Sequence, residues 1–73
     1  MTNKQFADWR GRHFRSRAAA ATGLGMDRDT VIALETGKSR AGKPYPVRPH
    51  VALACAAWTM GLREYDGGPV TVG

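Results

Sequence analysis

Apolar positions recur at helical spacing through most of the chain. Phe6, Trp9 and His13 stand at i, i+3 and i+7, which is one face of a helix. Thr2 or Asn3 can cap it, and Thr2 with Gln5 three residues on fits a capping box, so a first helix is expected over residues 3–13. Phe14-Arg15 interrupts the pattern. Ser16 is the next capping candidate, and Arg17 to Thr22, with four consecutive alanines, propagates a short second helix. Gly23-Leu24-Gly25-Met26 closes it, glycine supplying the left-handed turn residue. Asp27 is placed to cap a third helix over 28–36, which Gly37 ends. On that helix Val31 and Leu34 point one way, while Arg28, Asp29, Ile32 and Ala33 fall largely on other faces.

Residues 37–46 form a basic loop in which Pro44 and Pro46 exclude an ordinary helix or a central strand. Pro49 suits the first turn of a fourth helix. Val51, Cys55, Trp58 and Leu62 make its apolar stripe, joined by Leu53, Ala54 and Ala57, with Gly61 as C-cap. From Asp66 to Gly73 the pattern is lost, although Val70 and Val72 could pair with something. The periodicity therefore predicts a compact all-α bundle of four to five helices over 1–65 and a flexible tail over 66–73.

At 73 residues there is room for one small domain, and no doubly wound or barrel enzyme fold fits. No run approaches 18 apolar residues, so no membrane span or membrane partner is expected. Met1 to Gln5 carry no apolar signal core, so a cytoplasmic location is expected, nucleoid-associated if the partner is DNA. One cysteine and two histidines are too few for a typical structural zinc site, so no metal and no cofactor are expected. No Ser/His/Asp or Cys/His set has a catalytic arrangement, and Gly23-Leu24-Gly25 lacks the strand and the rest of a phosphate loop, so neither an enzyme nor a small-molecule substrate is expected. Cys55 reads as an inert core thiol.

The formal charge of +5 is concentrated. Arg10, Arg12, Arg15 and Arg17 fall together with no acid among them, and so do Lys38, Arg40, Lys43 and Arg48. Two such segments in so short a chain suggest a polyanion partner, and the planar fork of arginine suits phosphate. Charge alone is explained equally well by a solvated basic surface kept for solubility.

The stretch from Ser16 to Gly37 tilts that balance. Ser16, Ala21, Leu24-Gly25-Met26, Thr30-Val31, Leu34-Glu35 and Gly37, preceded by Phe6 and Trp9-Arg10, resemble the helix-turn-helix of the phage-repressor-like family, also called XRE or lambda-repressor-like. The resemblance covers about residues 4–60. Pro44-Tyr45-Pro46-Val47 followed by Val51 to Cys55 more loosely resembles small phage autorepressors, including anti-CRISPR-associated regulators. The resemblance implies a sequence-specific regulator of double-stranded DNA, probing the major groove with the third helix and binding an inverted repeat as a homodimer.

The resemblance also implies roles. Arg28 is the best base reader, since arginine bonds guanine O6 and N7 together. Asp29 either accepts from cytosine N4 or orients Arg28. Ile32 and Ala33 are apolar on a face that should meet DNA, with thymine methyl contact and core packing both open for Ile32. Arg17 opens the second helix, where it should meet phosphate and can reach a base. Ser16, Thr30, Thr36, Lys38, Ser39, Arg40 and Lys43 are backbone-holding candidates, positioning without specifying. Tyr45 either offers its hydroxyl to phosphate or packs under the loop. Arg10 and Glu35 match a pair that fixes the first helix against the third, so Glu35 is structural.

The chain departs from the family in three places. His13-Phe14-Arg15 replaces the usual apolar-glycine ending of the first helix, so His13 is expected to be half-buried and Phe14 to supply the missing contact. Ala20 replaces a larger residue, and the loop over 37–46 is long. His50 reads as a surface residue at a helix start, with phosphate contact as the other option. Trp58, Met60 and Leu62 are either a dimer surface or the cover on the back of the first helix. The rival class is a protein-interaction module on the same scaffold, antitoxin-like or a phage-encoded inhibitor, which Asp29, Ile32 and Ala33 would suit.

Overall fold

The computed structural model describes residues 1–63. They form four helices: α1 (Asn3–His13), α2 (Arg17–Leu24), α3 (Arg28–Thr36) and α4 (Pro49–Thr59). Among the described residues the fold is all-α, and no helix is long and apolar enough to cross a membrane. The expected tail over 66–73, with Val70 and Val72, lies outside the described residues.

Local chemistry sets most of the boundaries. Gln5 N–H donates to Thr2 Oγ1 at 3.0 Å and Thr2 N–H donates to Gln5 Oε1 at 2.8 Å, a reciprocal capping box that starts α1. Ala19 N–H donates to Ser16 Oγ at 3.1 Å and starts α2. α2 runs on to Leu24, two residues beyond the expected stop. Gly25, at φ 69°, then turns the chain while Met26 N–H reaches back to Ala21 O. Asp27 precedes α3 but its side chain makes no capping bond. Gly37, at φ 77°, ends α3 with its N–H on Ala33 O.

Helix α3 packs against α1 and α2, and α4 packs on α1. The core is Phe6, Val31, Leu34, Val51 and Cys55, with Ala20 and Ala21 letting α2 approach closely. Phe14 packs between the end of α1 and α4, its ring 5.8 Å from Trp9 and 4.9 Å from Trp58. Gly23 exists for that ring: a Cβ there would stand 2.6 Å from Phe14 Cε1. Trp9 Nε1 donates to Thr59 Oγ1 at 2.8 Å, tying α1 to the end of α4.

Two packing expectations need correction. His13 is exposed rather than half-buried, because it lies on the outer side of Trp9 with ring centroids 5.0 Å apart. Leu53 is 71% exposed and Leu62 is also exposed, because only the Val51–Cys55 side of α4 meets the core. The loop after α3 is a tight hairpin. Ser39 N–H donates to Lys43 O and Tyr45 N–H to Gly37 O, flanking an isolated antiparallel bridge between Lys38 and Pro44. Pro44 is tolerated there because the two ladder donors are Ser39 and Tyr45, so no N–H is needed at position 44.

Candidate nucleic-acid interface

Three elements converge on one side of the molecule: the N-terminus of α2, the outer face of α3 and the hairpin. Their relative positions are fixed by acid–arginine contacts. Glu35, near the end of α3, accepts from Arg10 Nε at 3.2 Å, from Arg10 Nη2 at 3.3 Å and from Arg17 Nε at 3.1 Å. Arg10 Nη1 also donates to Phe14 O at 3.2 Å, so one guanidinium joins the end of α1 to α3. Two arginines on one carboxylate leave this cluster with a net positive charge beside the positive end of α2.

Arg17 is thus not a free base reader. Its Nε is committed to Glu35, which orients the side chain and leaves the rest of the guanidinium for an outside acceptor. Ser16 is exposed; its Oγ accepts from Ala19 N–H as the cap of α2, which leaves its O–H free to donate. Arg28 is exposed at the first position of α3. Asp29 neither lies free nor orients Arg28: its Oδ2 pairs with Arg40 Nη1 at 3.4 Å, linking α3 to the hairpin.

Between that helix and hairpin runs a groove of about 240 Å³ with Asp29, Ile32, Ala33 and Thr36 on one side and Lys38, Ser39 and Arg40 on the other. Ile32 is half-buried along it. Ala33 lines the groove but is only 7% exposed, so little of its methyl is open to a base edge. Thr36 is exposed, yet its hydroxyl donates to Ile32 O at 2.9 Å and accepts from Lys38 N–H, so it holds the hairpin rather than a phosphate. Ser39 Oγ likewise accepts from Lys43 N–H. Lys38 and Lys43 are exposed cations at the hairpin. Thr30 and Tyr45 do not join this face. Both line a different groove, beside α4, and Tyr45 is half-buried against the core.

Asn3 was not expected to matter beyond capping. Its Nδ2 donates to Leu34 O at 2.7 Å and to Tyr45 O at 2.9 Å, pinning the start of α1 to the end of α3 and to the base of the hairpin. A short polar side chain at the first helical position is the only signal in the sequence, and it does not distinguish a cap from a clamp. Cys55 is buried, and burial pushes its thiol up to about 11, so it carries no nucleophile at neutral pH. Compared with protein-family models, with curated proteins and with solved structures, the chain finds no match.

Proposed function

We propose that this chain is a sequence-specific, double-stranded DNA-binding regulator in which α2 and α3 act as a helix-turn-helix. The observation that carries the reading is the basic face just described. Arg28 stands exposed at the start of α3. Arg17 of α2 is drawn to the far end of α3 by Glu35. Arg40 of the hairpin, which also carries Lys38 and Lys43, pairs with Asp29 beside Arg28 in the chain. On this reading α3 enters the major groove, Arg28 reads guanine and Ile32 touches the floor of the groove. Arg17, fixed by Glu35, meets the phosphate at the positive end of α2. The hairpin lysines follow the neighbouring phosphates and set the salt dependence. A homodimer would place two such helices about 34–36 Å apart, one turn of DNA, on an inverted repeat, and binding there would repress a promoter by occlusion.

Selection from a randomised duplex library tests this directly. An enriched inverted repeat is the expected result, and a lone enriched half-site would remove the symmetric dimer. Retention that is purely salt-sensitive, with no enriched sequence, would overturn the reading in favour of a module with a protein target. On the selected site, Arg28→Ala is expected to cost about 1–3 kcal/mol and relax the preference at its base pair. Lys38→Ala should weaken all duplexes alike and lower the salt slope by about one.

A further inference from the structure

On the other side of α3 lies a groove of about 300 Å³, bounded by the α2–α3 turn, by α3 and by the first turns of α4. It stays open because α4 rests mainly on α1 and meets the groove with Ala54, a side chain too small to fill it. Its apolar walls are Leu24, Met26, Leu34 and Val51. Arg48 and His50, at the start of α4, stand at its edge, and among the described residues no acidic one lines it. Among the described residues the Arg48 guanidinium makes no ion pair and no hydrogen bond.

The helix start adds donors of its own. Arg48 is the N-cap and makes no side-chain cap, Pro49 has no N–H, and Val51 and Ala52 N–H both turn to Arg48 O. The His50 N–H has no backbone acceptor among the described residues. An apolar recess with one cationic, donor-rich end and no acid is complementary to an amphiphilic anion. Its volume lies at the small end of ligand pockets.

We propose that this groove is a binding site for a small aromatic carboxylate. The ring lies among Leu24, Met26, Leu34 and Val51, and the carboxylate meets Arg48, a bidentate partner, and the imidazole and N–H of His50. The site is separate from the basic face and stands whether or not that face binds DNA. Because Thr30 and Leu34 belong to α3, a bound ring bridges α3 to α4 and favours the folded state by mass action.

The experiment is a titration of the whole chain with 2-naphthoate, followed by amide and methyl NMR shifts. Saturable shifts at Leu24, Met26, Thr30 and Val51 with a Kd of about 1 mM or tighter are expected, together with a raised Tm. Arg48 is exposed, so Arg48→Gln should leave the fold intact while weakening binding about tenfold. Neutral 2-naphthylmethanol should bind more weakly by a similar factor. Ala54→Phe, also at an exposed position, should fill the groove and abolish the shifts. The proposal is overturned if no saturable shift occurs by about 10 mM, or if Arg48→Gln and Ala54→Phe leave the binding unchanged.

Discussion

Replacing Glu35 by alanine tests how the first three helices are held. Its side chain is 7% exposed, against 19% for Arg10 and 41% for Arg17, so the two pairs on one carboxylate should differ in strength. Without the carboxylate, the Arg10 guanidinium stays in a mostly dry site with Phe14 O as its remaining acceptor. Removing one member of a buried pair costs about 3–5 kcal/mol. The residual exposure of Arg10 and its surviving bond favour the lower end, about 3 kcal/mol. A domain of this length has roughly 4–11 kcal/mol in all, so the loss is severe and should lower Tm by about 12 °C or more. Arg10→Ala should cost about 2–3 kcal/mol, since it strands a buried carboxylate that keeps only Arg17. Arg17→Ala should cost under about 1 kcal/mol, because water screens that pair. Urea denaturation of the single and double variants measures both couplings. The coupling of residues 10 and 35 should exceed about 1 kcal/mol, and that of 17 and 35 should stay under about 0.5 kcal/mol. Equal costs for Arg10→Ala and Arg17→Ala, or a vanishing coupling between 10 and 35, would refute the argument from burial.

Two glycines inside helices should respond with opposite signs. At Gly23 an added methyl meets Phe14, whose ring is flanked by Trp9 and Trp58, so overpacking of about 1–3 kcal/mol outweighs a propensity gain of about 1 kcal/mol. At Gly11 nothing lies within 4 Å of the built Cβ, and Gly11→Ala should raise stability by about 0.5–1 kcal/mol in the same urea denaturation. Asn3→Ala should cost about 1–3 kcal/mol and speed hydrogen exchange at Tyr45, and Asn3→Asp should be no better, because the clamp needs a donor toward Leu34 O and Tyr45 O. Folding holds the Cys55 proton more tightly than the unfolded chain does, with the thiol raised from 9.0 to about 11. Its contribution is therefore full below pH 9 and is lost as pH rises toward 11, at about 1.4 kcal/mol per pH unit. Cys55→Ala should lose that difference in alkaline stability, and a thiol reagent at neutral pH should label the wild type only as fast as it unfolds.

Where the sequence was legible, the cause is local. Thr2 and Gln5 set the start of α1 and Gly37 the end of α3 through bonds spanning three or four residues, and such bonds can be read from spacing alone. The end of α2 was misread because Gly23 answers to Phe14, a through-space neighbour, and not to a turn. The prolines at 44 and 46 announced an interruption, but not that Lys38 and Pro44 would bridge across it. Helix α4 bears no charged residue except at its flanks, so its sequence could not say which side would be covered.

The basic face shows the same division. Exposed Arg28, Lys38 and Lys43 lie where helical phase and loop placement put them. What escaped was the partnering of arginines by acids on another element, Arg17 with Glu35 and Arg40 with Asp29. These two contacts are not equivalent. Glu35 is almost dry and shared with Arg10, whereas Arg17 is 41% exposed, so Glu35 orients Arg17 without holding it strongly. Asp29 is 69% exposed and Arg40 92%, so that pair is worth little and exchanges readily. A phosphate approaching this face would compete with Asp29 for Arg40 more readily than with Glu35 for Arg17. On the proposed reading, α2 presents an oriented cation, Arg17, and α3 a free one, Arg28. The hairpin supplies the adjustable ones, and Asp29 is freed for a base edge only when Arg40 has found a phosphate.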